Sequence, residues 1–195
     1  MFIDYSTLML VNMSAGLLLL AIYSVWGLDK PQHSQWSAGF AAVGLVAMLA
    51  GLHMTLTWPM PKLESVNLSW ANIAFGELTV LLGALLLALA LATGKNWPLV
   101  GIAPLSLVWG LIAAFIGICL IRLNLTATPV LAGTAFICTG IGGVVLTPAF
   151  AMTRRPGGAL WLRVLAGVLL AVAAMIFLLL GTSGYHMHLV KYSQL

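Results

Sequence analysis

Charge is what this chain has least of. Only 6% of its 195 residues are Asp, Glu, Lys or Arg, against 62% hydrophobic, and mean hydropathy is +1.11. A soluble domain carries about 25% charged residues, so a water-facing surface is excluded for most of the length. The eight basic and four acidic residues leave a net charge of +4 but form no basic run or face, which excludes a nucleic-acid partner. Cysteine is nearly absent as well. Cys119 and Cys138 lie inside apolar segments, where small packing residues rather than a disulfide are expected. No stretch alternates with period two, which excludes a β-barrel, and no Gly-Lys-Ser phosphate loop occurs. The first 28 residues carry Asp4 where a signal peptide would carry Lys or Arg, and no small-residue cleavage site follows. They read as a retained first span.

What is there is six apolar segments, each near the ~20 residues that cross a ~30 Å hydrocarbon core. They cover Tyr5–Leu28, Ser37–Trp58, Trp70–Thr93, Ile102–Arg122, Pro129–Met152 and Ala159–Ser183. Spanning segments must satisfy their backbone internally, which leaves helices. The reading is an all-α, polytopic membrane helix bundle of six transmembrane helices, one domain over 1–195, with the lipid bilayer as its main partner. Short connections predict antiparallel neighbours. Gly39, Gly44 and Gly51 in segment two, and Gly133, Gly140, Gly142 and Gly143 in segment five, predict close helix packing. Basic residues set the orientation: Lys30, Lys95, Arg154 and Arg155, with Arg163 close by, outnumber Lys62, Arg122 and Lys191. The positive-inside rule puts the first set in the cytoplasm and both termini outside.

The polar exceptions concentrate at one end. His53 lies about five residues before Trp58, so roughly 7 Å inside the span, and Glu77 lies about seven residues after Trp70, so roughly 10 Å inside. Segment six returns to this end with Tyr185, His186 and His188, segment one begins there with Asp4, and segment four ends there with Arg122. Only His33 falls at the opposite end, in a loop. Ionisable groups at membrane depth are costly and mark function. Imidazole and carboxylate are the ligands that copper, iron and zinc accept. The expected site is therefore a transition-metal ion, copper or iron ahead of zinc, held by His53, Glu77, His186 and His188. Asn72, Arg122 and Asp4 would orient those ligands or hold an anion. On a regular helix only one of His186 and His188 faces inward; unwinding after Gly181 and Gly184 would let both do so.

The hairpin between segments two and three also resembles a known family. Gly51-Leu52-His53-Met54, Thr57-Trp58-Pro59-Met60-Pro61 and Asn72-Ile73-Ala74-Phe75-Gly76-Glu77 carry the likeness. Arg122 with Leu125-Thr126 and Pro129, Thr139-Gly140-Ile141-Gly142-Gly143, and a histidine-bearing end to the last helix extend it. These residues are similar to a prokaryotic family of uncharacterised multi-pass integral membrane proteins, a domain of unknown function. The resemblance covers nearly the whole chain and implies a multi-pass fold in the prokaryotic inner membrane. It carries no activity.

The functional expectation is an integral membrane metalloprotein doing redox or electron-transfer work, as a membrane-bound oxidoreductase would. Three alternatives stand beside it. One is a b-type haem carrier with His53 and a histidine of segment six as axial ligands. Another is a structural subunit of a larger membrane complex or homo-oligomer. The third is a small transporter, although the half of the bundle away from the hairpin has almost no polar path.

Overall fold

The computed structural model of the protein describes residues 5–28, 33–60, 68–152 and 160–193. Six helices carry it: α1 (Tyr5–Ile22), α2 (Ser37–Thr57), α3 (Leu78–Gly94), α4 (Ala103–Arg122), α5 (Pro129–Ala151) and α6 (Leu160–Ser193). A π-helical segment, Tyr23–Gly27, continues α1, and another, Asn72–Glu77, precedes α3. All six spans are long and apolar enough to cross a membrane. The predicted fold class holds. The sixth segment, expected to end at Ser183, runs on as unbroken helix to Ser193.

Local chemistry explains the ends. Pro104 and Pro129 sit in the first turns of α4 and α5, where a missing N–H costs nothing. Asn96 and Asn124, both at φ 53, follow α3 and α4 in the left-handed conformation. Trp97 N–H then donates to Ala92 C=O at 2.8 Å, and Leu125 N–H to Leu120 C=O at 3.2 Å, closing the last turns with six-to-one bonds. α2 stops differently. Trp58 takes φ 48 and donates to Met54 C=O at 3.1 Å. Pro59, which has no N–H, cannot continue the helix.

The helices pack as pairs: α1 with α6, α2 with α3, α4 with α5. α5 also lies along α6, while α1–α2 and α3–α4 touch more lightly. Glycine makes the pairs close. A Cβ on Gly110 would come within 2.7 Å of the Gly140 carbonyl oxygen, and one on Gly117 within 2.7 Å of the Gly133 carbonyl oxygen. On the α2–α3 seam, Cβ atoms on Gly51 and Gly83 would meet the backbone of Val80 and Met48. With lipid as solvent there is no hydrophobic drive between helices, so close backbone approach supplies the contact energy. Hydroxyls and an amide add side-chain bonds between helices. Ser14 Oγ donates to Ala174 C=O (2.8 Å), Asn12 Nδ2 to Val43 C=O (3.1 Å), Ser37 Oγ to Ala90 C=O (2.9 Å) and Ser106 Oγ to Gly143 C=O (2.8 Å).

This topology puts the α2-to-α3 turn, the α4–α5 connection and the two outer ends of α1 and α6 at one end of the bundle, here called the hairpin end. The other three connections lie at the opposite end.

Candidate functional site

Asn72 organises the hairpin end. It is fully buried, in the first turn of the π-helical segment. Its Oδ1 accepts from Met60 N–H at 3.1 Å, and its Nδ2 donates to Met60 C=O at 3.0 Å and Ser69 C=O at 3.1 Å. The amide thereby pins the turn after Trp58 to the start of the next helix. Every polar position it has is used on backbone, so its visible work is to hold the turn.

His53 and Glu77 flank this clamp without facing each other. Gly51, Met54 and Thr55 form the α2 face against α3, where a Cβ on Gly76 would meet Met54 and Thr55. His53 lies about 200° round the helix from Gly51, and it is exposed. Glu77 is also exposed, on the side of α3 that carries exposed Ile73 and Leu81. Thr57 Oγ1 donates to His53 C=O at 2.7 Å and lies 3.2 Å from His53 Nδ1.

α6 carries the other two candidates. Because the helix does not unwind at Gly181 or Gly184, His186 and His188 point about 200° apart. His186 is exposed; His188 is half-buried. Arg122 is exposed at the end of α4. Asp4 lies outside the described residues. Among the described residues, no three His, Cys, Asp or Glu side chains stand close enough to share a metal ion. The four expected donors thus do not form one ligand set among these residues.

His188 instead lines a cavity of about 430 Å³ inside the hairpin end. Its floor is aromatic. Phe75, Phe136 and Phe177 form a chain with ring centroids 5.6 and 5.1 Å apart, the second pair edge-to-face at 89°. Trp70 extends the chain, 6.1 Å from Phe75. The rim is polar, and its described residues include no Asp, Glu, Lys or Arg: Ser6, Thr7, Thr126, Thr128 and His188. Thr126 Oγ1 is buried and has no hydrogen-bond partner. An orphaned buried hydroxyl costs about 1–3 kcal/mol unless something completes it. An apolar hollow with a few convergent polar groups is the general form of a small-molecule site.

A second polar cluster, at the opposite end, went unread in the sequence. Arg163, only 3% exposed, donates from Nε to Ser24 C=O and from Nη2 to Val25 C=O, both at 2.8 Å. Ser24 Oγ lies 2.8 Å from Ala21 C=O and 3.2 Å from Arg163 C=O. The guanidinium fork thus ties the start of α6 to the π-helical end of α1. Beside it the buried Tyr23 hydroxyl lies 2.9 Å from His33 Nδ1. Tyr23 also packs edge-on against Trp36 and Phe40, with centroids 5.4 and 5.1 Å away. Burial lowers the His33 pKa, so its neutral form is favoured. The Tyr23 hydroxyl and His33 Nδ1 thus share a hydrogen bond while the ring is held toward its neutral form. The available signal was depth: Arg163 and Ser24 lie the same short distance inside their spans.

No curated protein and no solved structure matches this chain. The profile of a family described as "Protein of unknown function (DUF981)" matches residues 1–191, close to the full length over which the hairpin, glycine and histidine motifs are spread. The chain belongs to the DUF981 family of proteins of unknown function.

Proposed function

We propose that this protein binds a small amphiphilic molecule drawn from the bilayer, in the cavity at the hairpin end. The observation that carries the reading is the cavity of about 430 Å³ with a phenylalanine floor and a rim of hydroxyls and one imidazole. A molecule with an apolar body and a compact polar head matches that lining. The body would replace lipid contacts with Phe75, Phe136, Phe177 and Leu180, and the head would meet the polar rim. A prokaryotic inner-membrane location, with both termini outside, belongs to this reading. Association with a second copy or other membrane subunits is compatible with it.

The test is gentle extraction into lipid nanodiscs, followed by mass spectrometry of co-purified small molecules, elemental analysis and an optical spectrum. A stoichiometric amphiphile that is lost in Ala132→Phe, which fills the cavity wall, supports the proposal. A preparation whose only stoichiometric guest is copper, iron or zinc, lost in His53→Ala and Glu77→Gln, would replace it with the metal reading. A Soret band lost in His53→Ala would replace it with the haem reading.

A further inference from the structure

We propose that α6 is the seam of a parallel homodimer, in which it winds against α6 of a second copy. Along the span, Trp161, Val164, Val168, Ala171, Met175 and Leu178 follow one another at alternating steps of three and four residues. All but the half-buried Ala171 are exposed. The same alternation carries on without a break through Thr182, Tyr185, Leu189 and Tyr192, all exposed. This is the a and d pattern of a heptad repeat, sustained over roughly four heptads. Thr182 is the hydroxyl member within the span, and it donates to Leu178 C=O of its own helix at 2.9 Å, so it brings no unmet donor to the seam. A straight helix carries such a repeat round by about 20° per heptad, so the repeat stays in line only against a helix that supercoils with it.

Within the span lipid can cover such a face. The projecting end of the helix is different. With exposed Trp161 at the far interface, a ~30 Å core ends about 20 residues on, near Gly181. α6 still packs on α1 at Gly184, whose Cβ would meet Thr7. Past that point Tyr185, Leu189 and Tyr192 remain exposed, Leu189 by 70%, where the medium is headgroups and water. A continuous apolar strip left bare there marks an interaction surface. Its occupant follows from symmetry. Two copies inserted in one membrane are already parallel and at equal depth. Across a two-fold axis along the membrane normal, each seam residue then meets its own equivalent. Such a seam must carry no charge, and none of these residues is Asp, Glu, Lys or Arg. Lys191 lies about 200° round the helix from Leu189, off the seam. α3 and α4 carry Glu77 and Arg122 on their exposed faces, where self-pairing would set like charges together. Met187 and His188 line the cavity from other faces of the same turns, so the pairing does not depend on what the cavity holds.

Disulfide scanning in native membranes provides the test, in a chain with Cys119→Ala and Cys138→Ala. Single cysteines replace Tyr185, Leu189 or Tyr192 on the seam, and Met187 or Lys191 away from it. All five positions are exposed on the projecting end, so the bundle's packing is left alone. A disulfide needs Cα atoms within about 7 Å, a separation that facing seam positions reach and the far side of the helix does not. After mild oxidation, the expected result is a covalent pair of this chain from each seam cysteine and none from Met187→Cys or Lys191→Cys. Native mass spectrometry of the wild type should show two copies. Leu189→Arg, which sets like charges together across the axis, should lower the paired fraction at least about tenfold. Equal crosslinking on and off the seam is chance collision and overturns the proposal. So does the absence of any crosslink. A disulfide-linked product containing a different protein overturns the second copy as occupant. A paired fraction unchanged in Leu189→Arg overturns the seam as the contact.

Discussion

Among the described residues the buried charge is Arg163, whereas Glu77, which lies deeper by residue count, is exposed. The contrast shows how an ionisable side chain is accommodated in a bundle. A guanidinium has a rigid fork of donors, and the frayed carbonyls at the end of α1 are acceptors with the favourable sign of a helix C-terminus. Arg163→Met leaves those carbonyls without donors and should lower stability by about 2–4 kcal/mol. Arg163→Lys should recover only part of that, because one ammonium does not reproduce the fork. Denaturant titration in mixed micelles checks both, and a Lys variant as stable as wild type would show that the fork geometry is irrelevant. His33 supplies a pH test. Its folded-state pKa lies below the ordinary imidazole value. Its contribution to stability is therefore present above about pH 6.5, and declines as pH falls through the interval between the unfolded and folded values. A melting temperature that drops between about pH 7 and 5 in wild type, and drops less in His33→Asn, is expected. Equal drops in the two proteins would remove the Tyr23–His33 pair as the cause.

At the scale of elements, helix existence was legible and angle around the helix was not. Segment lengths follow directly from the bilayer thickness, so all six spans could be read from apolar runs. Depth could also be read, which is why His53 and Glu77 were matched. Which way each points depends on the face its helix gives to its neighbour. Gly51, Gly76 and Gly83 decide that face, turning His53 away from α3. Neither π-helical segment could be foreseen from composition. One begins at Asn72, whose amide is spent on the turn, and the other carries the carbonyls that Arg163 binds. The cavity escaped notice for a related reason, since it is built from Phe75, Phe136 and Phe177 on three helices that only the pairing order brings together. That order depends on glycine contacts, which makes a direct prediction. A Cβ on Gly140 would press on the backbone of Ala114 and Gly110, with no flexible side chain to yield. Gly140→Ala should therefore cost about 1–3 kcal/mol, the usual penalty for overpacking. Ala substituted at Gly101, which has nothing within 4 Å, should be near neutral. Comparable losses at both positions would mean that backbone approach is not what holds α4 to α5.

At the scale of the whole molecule, the start of α1 and the end of α6 both lie at the hairpin end, so one orientation decides the exposure of the cavity mouth and of both helix ends together. α6 has 34 residues, about 51 Å of helix against a core of ~30 Å. Its last turns, with Lys191 and Tyr192 exposed, must stand clear of the hydrocarbon. Exposed Trp26, Trp97 and Trp161 belong to the opposite end, at the depth where indoles favour the interface. By sequence position the basic excess falls in the connections away from the hairpin, in Lys30, Lys95, Arg154 and Arg155. The positive-inside rule counts such residues in short loops, and all three connections at that end are short. The expected arrangement therefore has the cavity opening to the outside. Cysteine labelling in intact prokaryotic cells tests it, with Cys119 and Cys138 replaced by Ala so that only the introduced thiol reacts. Ser193→Cys should react with a membrane-impermeant maleimide in intact cells, and Lys95→Cys only after permeabilisation. The reverse pattern would turn the protein over and give its cavity to the cytoplasmic leaflet. Labelling of both sites in intact cells would mean that the chain inserts both ways, its charge bias of a few residues being too small to choose.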